Sequence, residues 1–178
     1  MKVLDTERLV LRRVTLDDAE FILELVNEPA FHQNIGDRGV RTLEDARAYV
    51  ETRYLAPYAA DGFGMYLMES KASGEPIGTC GLVDRPGLEG IDIGFALHSA
   101  FWSRGYAVEA AAAVLEYARS SLGIQRVVAI TNPDNLGSQA VLRKIGLGYE
   151  RMVRLDEDGP EIQLYSIELT PDPAAGVD

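Results

Sequence analysis

The residues best placed to do chemistry are Arg104-Gly105-Tyr106-Ala107, which stand immediately before the clearest helical pattern in the chain. Gly105 carries no side chain, so backbone there can approach a bulky anion, and Ala107 keeps the helix entry open. The first N–H groups of a helix have no acceptor within it, and the helix dipole favours negative charge at that end. A diphosphate is the natural guest of such a corner. Taken alone the signal is modest, because many glycines ahead of helices only make turns. Other reactive residue types are placed less tellingly. Cys80, the single cysteine, sits in the apolar run Ile77 to Val83, and core packing is the favoured reading over a nucleophile. His32 and His98 have no metal-ligand spacing with another His or Cys, so no metal is expected. His98 reads as a surface residue near a cleft and Glu109 as solvent-facing. Neither a Gly-x-Ser-x-Gly elbow nor a Walker A pattern is present.

The elements that must position this corner follow from periodicity and turn residues. Arg8 to Arg13 alternates as a strand does. Thr15-Leu16-Asp17-Asp18 and Thr42-Leu43-Glu44-Asp45 each have the spacing of a helix-capping box, and the Glu28 to Arg41 segment between the two helices reads as a polar, glycine-containing connection. Three strand-like runs follow: Phe63 to Glu69, Pro76 to Val83 and Ile91 to Leu97, with a hairpin turn over Lys71 to Glu75. Ala107 to Leu122 is a helix with Ala107, Ala111, Val114, Leu115, Ala118 and Leu122 on one face, stopped by Gly123. Arg126 to Thr131 is a strand, and Asn135 to Ile145 a helix ending at Gly146. Tyr149 to Leu155 and Ile162 to Glu168 are strands joined by the turn-rich Asp156 to Pro160. Helices fall between runs of strands, so the fold class is mixed α/β.

Bulk properties bound the function. A chain of 178 residues fits one domain, read here as residues 1–170, with Pro171 to Asp178 as a loose tail. A net charge of −11 argues against a nucleic-acid partner, since phosphate contacts need a basic face. The same charge would draw a cationic acceptor, although it serves solubility equally well. No apolar run reaches the roughly 20 residues that span a bilayer, so no membrane partner is expected. A lone cysteine and the absence of a signal-peptide core suggest a reducing, cytoplasmic setting.

The corner gains force from its company. Trp102-Ser103-Arg104-Gly105-Tyr106-Ala107 matches the pattern Gln/Arg-x-x-Gly-x-Gly/Ala except that Trp102 replaces the opening residue. Asn135-Leu136-Gly137-Ser138-Gln139-Ala140-Val141-Leu142-Arg143-Lys144-Ile145-Gly146 follows on the next helix, and Thr6-Glu7-Arg8-Leu9-Val10-Leu11-Arg12 opens the chain. In these motifs, their order and their separation, the sequence resembles the GNAT superfamily of N-acetyltransferases, above all the subgroup that modifies protein N-termini, ribosomal proteins and small amines. The resemblance implies a mostly antiparallel central sheet of six to seven strands with about four helices packed on both faces. It also implies acetyl-CoA as co-substrate, an amine acceptor (a small molecule or a protein N-terminus), and a monomer or homodimer.

Carried over residue by residue, it gives Phe95, Ala96 and Leu97 as the splayed strand that pairs with the pantetheine amides. Trp102, Ser103, Arg104, Gly105, Tyr106 and Ala107 become the diphosphate turn, and Asn135 a pantetheine ligand or a simple helix N-cap. Asp92 matches the position of a glutamate base and is either that base, acting through water, or a solvated strand-edge carboxylate. Ser138 either donates to the leaving thiolate or caps its helix locally. Many relatives place a tyrosine acid where Leu142 stands, which leaves the acid open. The expected activity is direct acetyl transfer from acetyl-CoA to a primary amine in a ternary complex; the alternative is a non-catalytic CoA-binding sensor or scaffold.

Overall fold

The computed structural model describes residues 1–170; the expected tail lies outside the described residues. Strands β1 (Lys2–Asp5), β2 (Leu9–Arg13), β3 (Met65–Ser70), β4 (Pro76–Val83), β5 (Ile91–Leu97), β6 (Arg126–Thr131), β7 (Gly148–Val153) and β8 (Ile162–Glu168) form one sheet. Their order is β1-β2-β3-β4-β5-β6-β8-β7. Eight strands exceed the six to seven expected, and the mixed, mostly antiparallel class holds. The addition is β1, four residues that pair antiparallel with β2.

The helices are α1 (Ala19–Val26), α2 (Pro29–Asn34), α3 (Leu43–Val50), α4 (Ala56–Ala60), α5 (Tyr106–Ser120) and α6 (Leu136–Lys144). Helix α3 starts at the expected capping box: Thr42 Oγ1 accepts from Asp45 N at 3.1 Å, and the Asp45 carboxylate accepts from Thr42 N at 2.9 Å. It passes through a π-helical turn, Glu51–Leu55, into α4. Helix α2 corrects the reading of Glu28 to Arg41 as plain connection; Pro29 supplies a preset φ at its first turn.

Every neighbouring pair in the sheet is antiparallel except β5 and β6. A parallel pair needs a long crossover, and α5 supplies it. Ala110, Ala111, Val114, Leu115 and Ala118 are buried on α5, which packs on β4 and β5 and reaches β1 and β2. The three alanines let the helix lie close to the sheet, so its N-terminus is held beside the C-terminal end of β5.

Candidate active site

Strand β5 pairs with β4 from Asp92 to Leu97, yet with β6 only at Ile91–Val127 and Asp92–Val128. Past Asp92 the two strands separate, leaving one edge of β5 without a strand partner among the described residues. Hydrogen-bonding direction alternates along an antiparallel strand. His98 N donates to Ile77 O at 2.9 Å, so the backbone groups of Ala96 and Gly94 turn to β4 and those of Ile93, Phe95 and Leu97 turn to the gap. Phe95 and Leu97 thus lie on the edge of β5 that has parted from β6. Ala96 lies between them with its amide and carbonyl committed to β4. The Leu97 carbonyl is already taken, accepting from the Trp102 indole Nε1 at 3.0 Å. Trp102 therefore ties the turn to the strand end.

The turn itself is as the sequence suggests. Gly105 has φ +80° and caps α5, and Ser103 also has a positive φ of 58°. A left-handed glycine there lets the chain reverse without a Cβ penalty. Trp102, Ser103, Arg104 and Gly105 are exposed, and Tyr106 and Ala107 half-buried. The first bond that closes α5 runs from Glu109 N to Gly105 O at 3.0 Å. By helix geometry the amides of Tyr106, Ala107 and Val108 have no acceptor within the helix. Three such amides at the positive end of a long helix make a cradle of the kind that can receive an anion.

Glu109 corrects the expectation of a solvent-facing side chain. Its carboxylate accepts from Thr6 Oγ1 at 2.6 Å, from Arg8 N at 2.8 Å and from Arg8 Nε at 2.6 Å. Partial burial pushes its pKa up, and the bonds from Thr6 and Arg8 outweigh this and hold it below the usual glutamate range. Arg8 Nη1 also donates to Arg104 O at 2.8 Å, and its guanidinium lies 4.4 Å from the Tyr106 ring centre. The opening motif is thereby pinned to the cradle.

Across the gap, Asn135 is the N-cap of α6, its Oδ1 accepting from Ser138 N at 3.1 Å. Capping is thus done by Asn135, and the Ser138 hydroxyl bonds no described residue. Leu142 is 1% exposed, in the core, so no proton donor stands at that position. At the open end of β6, Thr131 is 6% exposed and its Oγ1 is buried without a hydrogen-bond partner among the described residues. A buried orphan hydroxyl where two strands part suits a site completed by a polar ligand.

Asp92 is the last residue of β5 paired to β6 and is 3% exposed. The solvated strand-edge reading is therefore corrected. Burial pushes its carboxyl up to about 6, against the opposing pull of Arg85, whose Nε donates to it at 2.9 Å. Strand alternation sets Asp92, Gly94 and Ala96 on one sheet face, opposite to Ile93, Phe95 and Leu97. The mouth of the gap is spanned by the α1–α2 segment. Glu28 accepts from Ser99 N at 3.0 Å and Ser99 Oγ at 2.9 Å and lies 3.3 Å from His98 Nε2. At the other end, Asn34 O accepts from Asn132 Nδ2 at 3.2 Å, just past β6. His98 is thus half-buried against Glu28 rather than a plain surface residue. The Asp156 to Glu161 loop opens onto the same end, since Gln163 pairs with Thr131.

The sequence gave Arg85, Thr131 and Arg8 no role in the site, and met Glu28 only as the start of the Glu28 to Arg41 connection. Of these only Arg8 carried a signal, as part of the opening motif. Among the described residues no His/Cys/Asp/Glu group could hold a metal ion. The splayed edge, the bare amide cradle and the orphan Thr131 hydroxyl together fit a long ligand with an anionic end.

Comparison with known proteins agrees. Residues 8–148 match the family model described as acetyltransferase (GNAT) domain. The chain is 30% identical over 145 residues to the uncharacterized N-acetyltransferase YnaD of Bacillus subtilis (strain 168), covering 82% of each. Among solved structures, an acetyltransferase from Agrobacterium tumefaciens str. C58 is 27% identical with a TM-score of 0.79, over 94% of both chains. RimL, a ribosomal L7/L12 α-N-protein acetyltransferase in complex with coenzyme A, has a TM-score of 0.84 at 20% identity, over 97% of this chain and 100% of that one.

Proposed function

Starting from the fact that the chain belongs to the GNAT acetyltransferase family and is an acetyl-CoA-dependent acyltransferase, we propose that it acetylates a primary amine by direct transfer in a ternary complex. The acceptor class proposed is an α-amine, of a protein N-terminus (a ribosomal protein included) or of a small molecule. The observation that carries this reading is the β5 edge freed from β6, ending at the exposed cradle in front of α5.

Acetyl-CoA supplies a thioester whose carbonyl carbon takes the amine and whose thiolate leaves. The chain's residues do the rest. Amides of Tyr106 to Val108 hold the diphosphate, and the gap-facing groups of Phe95 and the Leu97 amide pair with the pantetheine arm. Asn135 faces that arm from α6 with the Nδ2 that its capping role leaves over. Ser138 Oγ donates to the departing sulfur, and no tyrosine is needed where Leu142 is packed away. Asp92 takes the amine proton through water. With a pKa of about 6 it is mostly carboxylate at pH 7. A lysine amine of pKa about 10.4 is neutral only once in roughly 2,500 molecules at that pH, whereas an α-amine near 8 is neutral about one time in ten. A weak, water-mediated base therefore suits an α-amine.

The test is thiol release from acetyl-CoA with a panel of N-terminal peptides, amino acids and polyamines, with mass spectrometry of the products. One acetylated amine per thiol released is expected, with peptides or small α-amines ahead of polyamines. Tight CoA binding with no thiol release from any acceptor would make the chain a sensor and overturn the catalytic reading.

A further inference from the structure

The opening motif takes no part in the transfer above, yet the structure carries Arg8 to the rim of the cradle. We propose that Arg8 is a further CoA-binding residue, donating from Nη2 to the diphosphate, with Thr6 and Glu109 as the residues that position it. The inference rests on the acetyl-CoA reading of the cleft.

Two of the three guanidinium nitrogens are committed: Nε to Glu109 Oε2 at 2.6 Å and Nη1 to Arg104 O at 2.8 Å. The third, Nη2, bonds no described residue. It lies 3.3 Å from where a Cβ on Gly105 would sit, on the residue that opens the cradle. A guanidinium is a rigid planar fork, so fixing two nitrogens aims the third. Stacking of the group over Tyr106 removes the remaining freedom. Glu109 is itself fixed by Thr6 Oγ1 and Arg8 N, so the brace joins the turn between β1 and β2 to the first turn of α5.

Charge gives a second reason. Glu109 lies in the first turn of α5, where its carboxylate alone would repel a diphosphate. Arg8 neutralises it and brings donors with it, in a chain whose net charge is −11. Removing Arg8 therefore both deletes a donor and unmasks an acid. Removing Glu109 as well takes the second penalty away.

The experiment is calorimetric titration of the full chain with CoA, dephospho-CoA and pantetheine. Arg8→Met is expected to weaken CoA and dephospho-CoA by roughly ten- to a hundredfold, the range for a hydrogen bond to a charged group, and to narrow the CoA-to-pantetheine affinity ratio by the same factor. Arg8→Met with Glu109→Gln should recover part of that loss. Should Arg8→Met not fold, Arg8→Lys serves: it keeps the charge, loses the fork, and is expected to narrow the ratio by a smaller factor. An unchanged ratio overturns the proposal, because a purely structural brace would weaken all three ligands together. A loss seen with CoA and not with dephospho-CoA also overturns it, by moving Arg8 to the 3′-phosphate. If the parent chain shows no preference for CoA over pantetheine, the cleft assignment itself fails, a different result from either.

Discussion

Replacing Gly105 separates three effects that the cradle combines. At φ +80° an alanine carries a left-handed penalty of about 1–2 kcal/mol, and its Cβ would sit 3.3 Å from Arg8 Nη2, close enough to press lightly on the braced guanidinium. Gly105→Ala should therefore lower the melting temperature by roughly 2–8 °C and leave CoA affinity within about tenfold, because the amides stay in place. Gly105→Gln adds bulk over the cradle, and Gly105→Glu adds bulk and charge. A carboxylate about 5 Å from one phosphate charge, at an effective dielectric near 20, costs about 3 kcal/mol, a further hundredfold or so in Kd. An acid at position 105 could also capture Arg8, which weakens binding in the same direction. Calorimetry with CoA at two salt concentrations, beside thermal unfolding of each free protein, reads all three. The expected order is Ala above Gln above Glu, with the Gln–Glu gap shrinking as salt rises. If the Glu variant bound CoA as tightly as the parent, no diphosphate would lie at this corner and the reasoning would be wrong.

Asp92 must be ionised to take a proton, so kcat/KM should rise with pH through about 6. Asp92→Asn should remove that limb and cost on the order of a hundredfold or more in rate, with CoA affinity little changed; a limb that survives takes Asp92 out of the mechanism. Because its folded pKa is raised, Asp92 contributes stability below about pH 4 that is lost as pH rises through about 6. The stability of Asp92→Asn relative to the parent should accordingly improve from pH 4 to pH 8 in paired melts. Ser138→Ala should lower kcat by roughly tenfold and leave the CoA Kd alone; equal losses in both would make the hydroxyl a packing group. Cys80 is fully buried, and burial pushes its thiol up, so Ellman's reagent should find no reactive cysteine in the native chain and one in guanidinium. Rapid native labelling would contradict the core placement.

Local pattern was legible and distant partnership was not. Strands β4, β5, β6 and β8 lie at the residues their alternating or apolar runs indicate, because each run is bounded by turn residues that stop pairing. Helix α2 escaped notice since six residues opening on proline carry no apolar stripe, and β1 since four residues cannot show a period. The turn in front of α5 was readable because glycine, turn and helix start are adjacent in sequence. Asp92 was read at the right place on its strand, but its burial depends on how closely β6 and the Arg85 loop pack around it, which no spacing rule encodes.

The same division explains why Glu109 reads as solvent-facing. Helical periodicity places Glu109 two residues after Ala107, off the buried stripe, and predicts solvent there. Its partners, Thr6 and Arg8, are 103 and 101 residues away, and only the sheet order that carries β1 and β2 under α5 brings them together. A carboxylate in the first turn of an anion-binding helix works against the anion unless a cation offsets it. So a glutamate two residues past such a turn, in a chain that also opens with Thr-x-Arg-Leu, is itself a signal that the arginine must come to it. On that argument the opening motif and the proposed diphosphate turn form a single device split between the start and the middle of the domain. Exchanging the ion pair, Arg8→Glu with Glu109→Arg, should then fail to restore CoA binding even where it restores stability, because the exchange leaves the pair but turns the free donors away from the cradle.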